Sequence, residues 1–130
     1  VRMNGESSAG AGDVTADQVV RFEVVDHGRG ALVVRVLGEI DTLTAPVLRE
    51  QLDQHLPAAL LVVLDLSAVT FLGSAGLAVL VSAKDEAERR GHRLRLVCGS
   101  RIATRALEAT GLLTLFDVAD GVPEALSAPR

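Results

Sequence analysis

Few residues of this chain have the types and spacing that chemistry needs. Ser74, in Gly73-Ser74-Ala75-Gly76, follows an apolar run and opens a segment of helical period. The stretch resembles a nucleophile elbow, yet the Gly-x-Ser-x-Gly frame is off by one residue, and no histidine lies where a triad partner is expected late in the chain. A serine at a helix start is otherwise an N-cap, its hydroxyl accepting a free backbone N–H. His27, His55 and His92 are isolated, without metal-ligand spacing, and read as surface residues. The single cysteine, Cys98, excludes a disulfide framework and a Cys-rich zinc site and reads as a small buried hydrophobe. Gly-x-x-x-x-Gly-Lys-Ser/Thr is absent, so phosphates are not held in a P-loop. Gly28-Arg29-Gly30 joins two strands rather than opening a helix, which removes the dinucleotide fingerprint. Lys84, the one lysine, falls mid-helix, where a receiver-type aspartate site has no use for it.

The elements that must position these residues alternate along the chain. Val20, Phe22 and Val24 alternate with Arg21 and Glu23 as a half-buried strand. A turn, Asp26 to Gly30, leads to a Val-rich strand from Ala31 to Leu37, giving an antiparallel hairpin. A helix starts near Thr42 or Thr44, tolerates Pro46 in its first turn and stops at Pro57. Leu60 to Leu66 is almost unbroken in apolarity, as a strand covered on both faces requires. Ser67 to Gly73 is expected to be a loop ordered by Ser67 and Thr70, and Ser74 to Arg90 a helix ended by Gly91. Asp85 with Arg89, and Glu86 with Arg90, sit at i,i+4 spacing on it. Leu94 to Val97 is a strand, Ser100 caps a helix through Glu108, Leu113 to Phe116 is a short edge strand, and Asp120 to Leu126 a closing helix. Strands alternating with helices imply an α/β fold with a mixed, mainly parallel sheet.

Composition narrows the function further. The chain has 130 residues, enough for one domain. There is no Trp or Tyr, and only three Phe, so a base-stacking platform is unavailable. A net charge of −4 argues against direct contact with a nucleic-acid backbone. No stretch approaches the roughly 18 to 20 apolar residues of a membrane span. Residues 1–18 are rich in Gly, Ser, Ala and Asp and lack the apolar core of a signal peptide, so a flexible leader is expected there, with the folded domain over 19–130. The expected setting is the cytoplasm, with no cofactor and no metal.

The stretch Val63-Leu64-Asp65-Leu66-Ser67-Ala68-Val69-Thr70-Phe71-Leu72-Gly73-Ser74-Ala75-Gly76-Leu77 resembles the STAS family, specifically the bacterial anti-sigma factor antagonists. Their signature is a buried strand ending in Asp-Leu-Ser, two apolar residues, then Asp-Ser-Ser/Thr-Gly-Leu at a helix start. Gly38-Glu39-Ile40-Asp41 is similar to a second marker of the family. The element order from Val19 to Leu126 fits as well. The resemblance implies a STAS-type sheet of four to five strands with about four helices, and a switch rather than an enzyme. It implies a protein that binds an anti-sigma factor of the serine-kinase type and frees the sigma factor until the kinase phosphorylates Ser74. A phosphate adds about −1.5 to −2 charge, which a helix N-terminus should tolerate. Gly73 and Ala75 stand where the family has Asp and Ser/Thr.

The expected partner surface comprises Glu39, Asp41, Thr42, Gly73, Ser74, Ala75, Leu77, Ala78 and Val81. Glu39, Asp41, Asp65 and Ser100 are expected to gather with Ser74 at the carboxyl edge of the sheet. Asp41 serves equally well as a cap for the following helix, and Asp65 as a residue that orders its own loop. Gly76, Val79, Leu80, Ala83 and Ala87 make a sheet-facing stripe, leaving Leu77, Ala78 and Val81 either under other helices or in an apolar patch for a partner. Two alternatives stay open: a STAS scaffold that works without phosphorylation, and a small α/β ligand-binding domain using the same edge.

Overall fold

The structure, a computed structural model, describes residues 19–127; the expected leader over 1–18 lies outside the described residues. Five strands form one sheet in the order β1-β2-β3-β4-β5. β1 (Val20–Asp26) and β2 (Ala31–Ile40) pair antiparallel, and every later pairing is parallel. Asp26 makes the hairpin turn by accepting the Gly28 N–H at 2.7 Å, and the turn then runs through positive φ at Gly28, Arg29 and Gly30. Two glycines in three such positions keep the strain low.

α1 (Ala45–His55), α2 (Ser74–Arg89) and α3 (Arg101–Ala109) cover one face of the sheet. Leu48 and Leu52 of α1, Leu80 and Ala83 of α2, and Ala103 and Leu107 of α3 meet Val34, Val36, Leu64, Leu66 and Leu96 in one core. Each such Leu or Val contributes about 1.5–3 kcal/mol when fully buried. α4 (Val122–Ser127) packs on the other face, where Ala125 joins Val33, Val63 and Val97. The core is thus aliphatic, as the shortage of aromatic residues requires.

Four sequence expectations are corrected. β3 spans Leu61–Leu72, so the expected Ser67–Gly73 loop is strand for all but its last residue. The register against β2 slips twice along this extension, between Arg35 and Leu37 and between Gly38 and Glu39. Each slip inserts an extra β3 residue, a bulge that bends the strand while the ladder continues. Leu113–Leu115 is a 3-10 turn, and the edge strand is instead β5 (Asp117–Ala119). Glu86 takes both Arg90 (2.6 Å) and Arg89, while Lys84 pairs with Glu88 at 2.7 Å; Asp85 does not hold Arg89. His55 and His92 are partly buried rather than surface residues, and His92 Nδ1 lies 2.9 Å from the Leu56 carbonyl oxygen.

Candidate functional site

The extended β3 carries the chain past the end of β4, whose pairing with β3 stops at Asp65–Val97. Its last residues run beside the end of β2, with Glu39 opposite Phe71 and Ile40 opposite Leu72. Gly73 then donates its N–H to the Ile40 carbonyl (2.9 Å), and Leu77 donates to the Gly73 carbonyl (3.1 Å), which starts α2. The β2–α1 and β3–α2 connections therefore leave the sheet side by side. Gly76 lets the first turn of α2 settle on this corner: a Cβ there would lie 2.5 Å from Ile40 Cγ2 and 2.9 Å from Leu72 Cδ1.

Ser74 is the first residue of α2, exposed, with its hydroxyl unpartnered. The expected N-cap role is corrected: Gly73 is the N-cap, and no side chain closes that helix end. The N–H groups of the first turn thus keep the positive end of the helix dipole open beside the Ser74 hydroxyl. Ser100, by contrast, is the N-cap of α3, accepting from Ala103 N at 3.4 Å.

Asp41 sits in the β2–α1 connection and bonds its own loop. Its Oδ1 accepts the N–H groups of Leu43 and Thr44, both at 3.0 Å, and lies 3.1 Å from the Thr44 hydroxyl. Thr44, fully buried, donates its hydroxyl to the Glu39 carbonyl (2.8 Å) and accepts the Asp41 N–H (2.8 Å). The Thr44 N–H, foremost, holds the Asp41 carboxyl below the usual carboxylate range; desolvation opposes it, and the Thr44 hydroxyl and Leu43 N–H add to it. Thr44 is the helix N-cap by position, and Asp41 orders the turn that leads to it.

The expected patch is partly assembled. Glu39, Thr42, Ser74 and Ala78 are exposed, and Gly73, Ala75 and Asp41 half so. Leu77 is a correction: it is only 6% exposed and belongs to the core, while Val81 is half-buried against the same core. Asp65 is also corrected, since it lies in mid-strand rather than at a strand end. Buried there, it accepts the Ser67 N–H at 3.0 Å and stands 3.9 Å from Arg35 Nε. Ser100 is not beside Ser74. Gly99 abuts Ser67, and the strand then continues roughly 15 Å before α2 begins.

Two residues that sequence reasoning missed belong to this corner. Phe71 is half exposed and Leu43 60% exposed. The Phe71 ring lies over Gly73, where an added Cβ would come within 3.0 Å of it. A phenylalanine inside a motif otherwise read as a loop was the available signal; its solvent face follows only once the bulges are known. Cys98 is buried as expected, and burial pushes its thiol pKa up. A cleft of about 360 Å³ between α1 and α2 is lined by charges of both signs, Arg49, Asp53, Asp85, Glu86 and Arg89 among them. No metal-holding group of three or more His, Cys, Asp or Glu occurs among the described residues.

The five-stranded mixed sheet and the corner at which β3 passes through Gly73 into α2 are those of a STAS domain, and residues 23–125 match the STAS domain. The chain belongs to that family. It is 33% identical over 120 residues to the anti-sigma-F factor antagonist RsfB of Mycobacterium tuberculosis, covering 90% of this chain and 95% of that protein. The crystal structure of an anti-sigma factor antagonist from Mycobacterium paratuberculosis superposes with a TM-score of 0.76 at 32% identity, over 88% of this chain and 97% of that one. The phosphorylated form of the Bacillus cell fate determinant SpoIIAA shares the fold, with a TM-score of 0.63 at 20% identity over 82% of this chain and 96% of that one.

Proposed function

We propose that this protein is an anti-sigma factor antagonist. It binds an anti-sigma factor of the serine-kinase type in the cytoplasm, frees the sigma factor, and is switched off by phosphorylation of Ser74. One observation carries the reading: the Ser74 hydroxyl is exposed and unpartnered at the uncapped N-terminus of α2. A phosphate there meets free N–H groups and the positive end of the dipole, so the fold should tolerate it. The new charge acts instead on the bound partner, by repulsion and desolvation. The relatives named as antagonists support the class of partner. Any ATP and magnesium belong to that partner. No helix among the described residues is long and apolar enough to cross a membrane.

A second reading, a scaffold that binds without being phosphorylated, is favoured by Gly73 and Ala75, which replace the family's Asp and Ser/Thr. One experiment separates the two. The protein is incubated with candidate anti-sigma kinases and ATP, phosphate is mapped by mass spectrometry, and partner binding is measured for Ser74→Ala and Ser74→Asp. The switch predicts that Ala abolishes labelling and keeps binding, while Asp weakens binding. Absent labelling with unchanged binding of both variants would establish the scaffold.

A further inference from the structure

The outer edge of β1 is the unpaired edge at one end of the sheet. β5, at the other end of the sheet, is three residues long, whereas β1 runs seven, Val20–Asp26. Its ladder with β2 is continuous, without a register slip. Val-Arg-Phe-Glu-Val-Val-Asp contains neither Pro nor Lys and has no bulge, and its charges Arg21 and Glu23 are of opposite sign, so they can pair with a second copy rather than repel it. Val24 and Val25, 38% and 51% exposed, leave apolar surface on both sides of the strand.

The hydrogen-bond phase of that edge follows from the hairpin. His27 donates its N–H to the Ala31 carbonyl at 2.9 Å, which makes this pair a hydrogen-bonding one. Antiparallel pairs alternate, so Val25, Glu23 and Arg21 bond to β2, and Val20, Phe22 and Val24 turn their N–H and C=O groups outward. A second β1 strand adding antiparallel pairs outward residues with outward residues of its own. With the two-fold axis at Phe22, Val20 meets Val24 of the other copy, Phe22 meets Phe22, and Arg21 faces Glu23 twice. An axis at Glu23 would oppose two glutamates, and one at Arg21 two arginines. Of these three registers the charge pattern favours the one centred on Phe22, the only one that places opposite charges face to face. Glu23 already holds Arg35 at 3.3 Å on the neighbouring strand, so the added Arg21 would extend a row of alternating charge.

From this we infer that a second copy of this chain is the partner of the β1 edge, forming a homodimer with a continuous sheet across a two-fold at Phe22. The inference is independent of Ser74 and its kinase. Sedimentation equilibrium of the full chain up to about 1 mM, the weak end of specific association, is expected to show a monomer–dimer equilibrium. Arg21→Glu, which breaks no ion pair within the subunit, should weaken dimerisation roughly tenfold or more by opposing like charges twice. Glu23→Arg should do the same alone, and a mixture of these two variants should recover a heterodimer. Val24→Pro removes an outward donor at a position where an edge strand tolerates proline, and should abolish association with the circular dichroism of the fold kept. A wild-type chain that stays monomeric throughout overturns the inference. So does association unchanged in folded Arg21→Glu and Val24→Pro.

Discussion

Asp41 turns its carboxylate on its own loop, whereas Ser74 leaves its hydroxyl to solvent, although the two connections are joined by the Gly73–Ile40 hydrogen bond. The difference decides which of them titration reaches. The folded carboxyl of Asp41 ionises more readily than the unfolded one, so its stabilisation is complete above the ordinary carboxylate pKa and is lost as pH falls through the lower folded value. Urea denaturation should therefore find Asp41→Asn less stable than wild type at neutral pH, with the gap closing in the acid range below the ordinary carboxylate pKa. An unchanged gap there would mean that shape rather than charge holds the loop. Phe71 belongs to the same corner but has a different duty. Half exposed beside Glu39 and over Gly73, it is suited to anchoring a partner, as buried aromatic contacts often do. Phe71→Ala is expected to weaken anti-sigma factor binding about tenfold or more while the melting temperature stays near that of wild type. Calorimetry of both quantities separates an anchor from a packing residue.

At the scale of elements, the serine is placed by the close seating of α2 on the ends of β2 and β3. Gly76→Ala would push a Cβ into Ile40 and Leu72, and overpacking of this kind costs about 1–3 kcal/mol. Chemical denaturation should report that loss, and Ser74 labelling by a kinase should fall with it, since the helix start must shift. The order of the elements was legible because Val20 to Val24, Leu60 to Leu66 and the α2 stripe keep their periods of two and of three to four. The second half of β3 was not. Its buried residues are Leu66, Val69 and Leu72, three apart, because each bulge adds a residue between successive inward positions. A strand with that spacing does not alternate, and it reads as loop. The same error hid the outward turn of Phe71 and brought Ser100 too near to Ser74. For Ser74 itself the position was legible and the cap was not, since a glycine can occupy the N-cap and leave the hydroxyl free.

For the molecule as a whole, the two faces of the sheet are unequally guarded. Three helices cover one, and the other depends on α4, six residues long and anchored apolarly through buried Ala125 with Val122 and Leu126 packed beside it. Helices this short are marginal alone, so α4 must be held from outside. Arg95, buried in β4, does this by donating Nη1 to the carbonyls of Ala125 (3.0 Å) and Glu124 (3.4 Å) while Nη2 pairs with Asp117 at 3.0 Å. Its Nε is buried without a partner, so the arrangement carries a desolvation cost that only the grip on α4 and β5 offsets. Arg95→Ala strands the two carbonyls but leaves Asp117 with Arg93 at 2.7 Å, and a loss of about 1–3 kcal/mol follows rather than the full cost of an orphaned charge. That loss should be local. Hydrogen exchange in Arg95→Ala is expected to open the α4 amides toward unprotected rates while α2 keeps its protection, and binding at the Ser74 corner on the opposite flank of β3 should persist. Uniform acceleration across α2 and α4 would show that the latch is part of the global core, and the two faces would then not be separable units.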